Sequence, residues 1–258
     1  MAQDAATPRA AQVLERGDIY FVYRPKVETP TVEGFEDVQR LYLVLHLHEQ
    51  QRYRVLLIGQ KQLPELHRGA EKHWGLVTTV SRDATAMREE LGRATYATKT
   101  RGERVQPAAR PAGEGVYALV RHDDHTHLAY VLELPEEPGP PQEALHIAEE
   151  GSYVLSVKNP AYPGLRDAQR AAEHPVAFPA RLQQRFRGRR FIAADPPDFL
   201  DYAGVELLLV GAAADVTEEL GVQLEPQRET IATAEVFTDL RLAKSRQAIA
   251  PLLQGAWA

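Results

Sequence analysis

Alternation of apolar and polar side chains is sharpest at residues 41–48. There Leu41, Leu43, Leu45 and Leu47 share one face of an extended chain, and Tyr42, Val44, His46 and His48 share the other. Glu49-Gln50-Gln51 supplies a turn, and residues 53–59 supply the return strand, so the pattern predicts a β-hairpin. A second hairpin is predicted from residues 116–121 and 126–134, which flank His122-Asp123-Asp124-His125. Single strands are predicted at 19–24, ended by Pro25, at 74–80, at 153–158, ended by Asn159-Pro160, and at 190–194 and 205–211. Helical pattern is found at 83–95, capped by Ser81, in two pieces of 162–188 broken at Pro175 and Pro179, and over 229–254, where Pro251 intervenes. Leu43, Leu45, Leu56, Tyr130, Leu132, Leu207 and Leu209 are the expected core positions.

These elements predict an α+β fold in which antiparallel hairpins form two β-rich halves and helices gather toward the C-terminal part. The expected organisation is an N-terminal half over 1–98, an exposed connection over 99–115 rich in Gly, Pro, Lys and Arg, and a second half over 116–258, the whole compatible with one continuous domain. Tyr20-x3-Arg24 followed by Leu-rich strands is echoed by Tyr117-x3-Arg121, which raises an internal duplication.

Composition narrows the function classes. The chain has no Cys, so disulfides, thiolate catalysis and Cys-ligated metal are excluded. Its net charge of −6 weighs against non-specific binding to nucleic acid without excluding a local basic patch. The first eighteen residues carry charges and no apolar core, and no apolar run approaches the length that spans a bilayer. The expected address is the cytoplasm, with no membrane partner. The sequence has no P-loop, no G-x-S-x-G elbow and no G-x-G-x-x-G opening a helix.

Two local clusters carry candidate chemistry. If Asp123-Asp124 is a two-residue turn, His122 and His125 oppose each other and His127 lies on the same face, together with Ala118, Val120, Ala129 and Val131. Three imidazoles on one face offer nitrogen ligands to a divalent metal. The competing reading is a solvated hairpin tip, and the spacing matches no H-E-x-x-H motif. His46 and His48 form a second same-face pair, read as surface residues. The other cluster is Arg181, Arg185, Arg187, Arg189 and Arg190, five guanidiniums in ten residues with no acid among them. Guanidinium forks match phosphate and carboxylate oxygens, and the interleaved Phe186 and Phe191 suggest stacking on bases. The competing reading is an amphipathic helix with a solvated basic face, paired internally with Asp195, Asp198 and Asp201.

The sequence therefore points first to a cytoplasmic binding or interaction module, more a binder than an enzyme, whose partner is a protein or a small anionic ligand. Two alternatives stand beside it. One is a metal-dependent enzyme using His122, His125 and His127. The other is an RNA-associated protein using residues 181–190. No cofactor is expected apart from a divalent metal at the histidines.

Overall fold

The computed structural model describes residues 11–66, 71–100, 102–164, 176–226, 234–240 and 246–258. Its strands are β1 (Gln12–Pro25), β2 (Val38–Leu47), β3 (Arg52–Ile58), β4 (Lys72–Ser81), β5 (Ala94–Thr98), β6 (Gly102–Gln106), β7 (Arg110–His122), β8 (His125–Leu134), β9 (Glu150–Lys158), β10 (Phe191–Ala193) and β11 (Glu206–Gly211). Eight of them pair antiparallel around a closed ring in the order β1-β2-β3-β4-β11-β9-β8-β7, with β7 returning to β1. β10 pairs with the far end of β9, and β5 with β6 forms a separate hairpin. The helices among the described residues are short: α1 (Ala84–Leu91), α2 (Pro140–Leu145), α3 (Ala180–Gln183), α4 (Val216–Leu220), α5 (Val236–Asp239) and α6 (Arg246–Gln254). None is long and apolar enough to cross a membrane.

The expected α+β class with two β-rich halves is therefore corrected to a mostly β protein built on one closed antiparallel barrel. Both predicted hairpins exist, as β2–β3 and β7–β8. Closure depends on the pairs β1–β7, β4–β11 and β8–β9, two of which join strands from opposite sides of residues 99–115. Residues 94–98 and 102–106 pair as the separate hairpin β5–β6, whereas 109–115 are buried and lead into β7. The helical reading of 162–188 reduces, in its described part, to α3 and a 3-10 turn at Gln184–Phe186; residues 165–175, 229–233 and 241–245 of the predicted helices lie outside the described residues.

Alternation explains both faces of the wall. One apolar cluster takes alternate residues from all eight strands, including Ile19, Phe21, Leu43, Leu45, Leu56, Val77, Leu119, Tyr130, Leu155 and Leu209, and so fills the barrel interior. Phe21 and Tyr130 meet there with ring centroids 4.9 Å apart. The intervening residues Tyr20, Val22, Tyr42, Val44 and Val55 form an outer cluster covered by α1, α5 and α6. A third cluster sets Ala118, Val120 and Ala129 against α4. Of the expected core positions only Leu132 is half-buried; the other six are buried.

One end of the barrel is closed by charge. Arg54 points inward in register with Leu56 and Ile58, and is 1% exposed. Its Nε donates to Asp201 Oδ1 at 2.8 Å and its Nη1 to Glu15 Oε1 at 2.6 Å, while the Tyr117 hydroxyl donates to the same Glu15 oxygen at 2.7 Å. Every buried charge there has a partner, which is the condition under which a buried guanidinium is tolerated.

Candidate anion-binding groove

The arginine segment leaves the barrel end on an apolar anchor. Leu182 and Phe186 are buried, and Phe186 packs against Phe178 and Phe199 with centroids 5.8 and 5.5 Å away. After the single turn of α3 and the 3-10 turn, Arg187 adopts a left-handed conformation (φ 44°) and Gly188 follows at φ 73°. A left-handed non-glycine residue costs about 1–2 kcal/mol. The reversal gathers side chains that a continued helix would spread around its axis. Arg181, Gln184, Arg185, Arg187 and Arg189 line one groove of about 530 Å³, whose other walls are Ile192, Ala193, Asp195 and Asp124.

Asn159, buried just past β9, holds this turn in place. Its Nδ2 donates to Arg189 O at 3.0 Å, its backbone N–H donates to Arg190 O at 2.8 Å, and its Oδ1 accepts from Gln183 Nε2 at 3.0 Å. The groove's basic wall is thus fixed to the barrel through backbone contacts that leave the guanidiniums free.

All five predicted arginines are exposed. Arg181 pairs with Asp198 at 2.8 Å, and Arg121 engages Asp195 at 2.9 Å on the rim. Among the described residues Arg185, Arg187 and Arg189 make no ion pair, so the expected internal neutralisation is realised only at Arg181. Arg190 turns away and lies over the Phe191 ring, 5.6 Å from its centroid. Phe186, a candidate for stacking on bases, is enclosed in the core.

The histidine hairpin adjoins this groove through Asp124. His122 and His125 are directly paired across Asp123-Asp124, as the two-residue turn requires, with Asp123 at φ 53°. His127 lies on the same face, its ring centroid 6.0 Å from that of His122, and is buried, whereas His125 is exposed. Burial, reinforced by the positive charge that His122 and His125 can carry, pushes the His127 pKa down to about 4. The structure brings His122 and His127 side by side. Among the described residues, the sets of three potential ligand atoms lying within 4.8 Å of one another do not include this trio.

Sequence reasoning singled out the arginines and set Asp195 beside them, placed Asp124 only in the hairpin turn, and gave no sign of Asn159 or Gln184. Asn159-Pro160 reads only as the end of a strand, because its partners lie some thirty residues ahead. The one local signal for the reversal is Gly188 between two arginines. Compared with known proteins, the chain matches no family model, no curated sequence and no solved structure.

Proposed function

We propose that this protein is a binding module for small phosphate-bearing anions, which it holds in the arginine groove. The observation that carries the reading is the convergence of Arg185, Arg187 and Arg189, all without an ion-pair partner among the described residues, on one groove behind a left-handed turn. Like charges repel, so gathering three guanidiniums without ion-pair partners disfavours the empty groove and favours one filled by an anion. Guanidinium forks suit the tetrahedral oxygens of phosphate, and the groove's volume lies within the range of small-ligand sites. A single-stranded RNA is the weaker reading of the same surface, because no aromatic ring lines the groove to stack on a base.

Calorimetric titration with tripolyphosphate tests this. The wild type is expected to bind with an affinity that falls as salt is raised, and the triple variant Arg185→Gln, Arg187→Gln, Arg189→Gln to lose binding, while Arg190→Gln retains it. Equal binding by the triple variant, or tight binding of a mixed-sequence oligoribonucleotide that tripolyphosphate fails to displace, would overturn the reading.

A further inference from the structure

A second cluster lies on the outer wall of the barrel, where β1 and β2 run side by side. Asp18 and His46 are directly paired across these strands, and His48 follows His46 by two residues, so all three side chains emerge on one face. Gly17 makes the close approach of the strands possible, since a Cβ there would sit 2.0 Å from His46 O. α5 then lays Asp239 over the pair. His46 Nδ1 is 2.6 Å from Asp239 Oδ2 and 3.6 Å from Asp18 Oδ2, and His48 Nε2 contacts Asp18 Oδ2. The Tyr20 hydroxyl donates to Asp239 Oδ2 at 2.8 Å, and the His46 ring is stacked on Tyr53 at 4.1 Å, which fixes its plane. Glu235 stands at the rim, within 4.8 Å of both carboxylates.

We propose that Asp18, His46, His48 and Asp239 bind one first-row divalent transition-metal cation. Two imidazole nitrogens with two carboxylate oxygens is a donor set that suits zinc, iron or manganese and is poor for magnesium or calcium. The ligand atoms of Asp18, His46 and His48 already lie within 4.8 Å of one another, and His46 Nδ1 and Asp18 Oδ2 are shut off from solvent. The His46 side chain is nine-tenths buried. His48 is half-exposed on a cleft of about 420 Å³ that Gln51, Tyr53 and Arg82 also line, so the cation has a side open to water or a small ligand. Tyr20 and Tyr53 orient Asp239 and His46, the support that neighbours of metal ligands commonly give. The four residues come from positions 18, 46, 48 and 239, which is why the histidine pair alone reads as surface decoration.

The test is metal content and metal-linked stability of the full chain, with Zn²⁺ and Mn²⁺ as probes. The wild type is expected to retain one equivalent of Zn²⁺ or Mn²⁺ after dialysis and to melt at a higher temperature with the metal than without it. His48→Gln is the informative variant, since its exposed ring leaves the metal-free fold intact: metal affinity is expected to fall by about tenfold or more with an unchanged metal-free melting temperature. Asp18→Asn is expected to abolish binding, and His125→Gln to leave it unchanged. A wild type with no saturable binding overturns the proposal. So does binding that survives His48→Gln, or binding lost in His125→Gln instead, which would put the metal at the hairpin tip.

Discussion

Arg54 shows what a single residue does for this barrel. Its guanidinium is enclosed and bridges Glu15 to Asp201, so Arg54→Met would leave Glu15 buried without its cation. Removing one partner of a buried pair costs roughly 3–5 kcal/mol, and urea unfolding of the variant should show a loss of that size; a loss below about 1 kcal/mol would contradict the assignment. His127 gives a pH signature. Its folded pKa, pushed down to about 4 chiefly by burial, lies below the unfolded value near 6.5. Between those values the unfolded chain binds the proton and the folded one does not. Stability therefore falls as pH drops from 6.5 toward 4, by up to about 3 kcal/mol, and His127→Phe should flatten that limb of the profile. Residue-scale legibility was uneven for physical reasons. The alternation through Tyr53, Arg54 and Val55 already sets Arg54 on the face of Leu56 and Ile58, but Asp201, which makes that burial tolerable, is 147 positions away.

At the scale of elements, local pattern served the hairpins and the helix at 83–95, present as α1, but overran the helical segment at 162–188. In β2 both faces are apolar, Leu41 to Leu47 on one and Tyr42 and Val44 on the other, because the barrel fills one side and helices cover the other. Leu45→Ala removes a fully buried side chain from the inner face and should lower the unfolding free energy by roughly 2–5 kcal/mol; an unchanged midpoint would place Leu45 outside the core. The basic segment reads as an amphipathic helix from Leu182 and Phe186, and that much holds. The chain then reverses at Arg187 and Gly188, and Asn159, just past β9, holds the reversed turn through Arg189 O and Arg190 O. Asn159→Ala should cost about 1–3 kcal/mol and weaken tripolyphosphate binding, while leaving the barrel's near-ultraviolet circular dichroism unchanged; full affinity in this variant would show that the turn does not position the groove.

For the whole molecule, closure decides which segments are exposed. The stretch 99–115 looks uniform in sequence, rich in Gly, Pro, Lys and Arg, yet its first part supplies β6 of the separate β5–β6 hairpin and its last part is wall. Within residues 94–115, trypsin should cut between Lys99 and Arg104 and spare Arg110, which is buried in β7 and donates to Pro30 O. An earliest cut at Arg110 would mean that β1 and β7 do not close the ring. Such closure was not legible, because it is made by pairs of strands distant in sequence that alternation alone cannot match. Closure also brings the arginine turn and the histidine hairpin to one groove, although more than fifty residues separate them in the chain. The central claim is that this groove holds a phosphate-bearing anion, and a crystal structure of the protein grown with tripolyphosphate examines it most directly. The anion should lie between the guanidiniums of Arg185, Arg187 and Arg189, with the turn at Arg187 and Gly188 unmoved. Tripolyphosphate bound elsewhere, or an empty groove at saturating concentration, would contradict the claim.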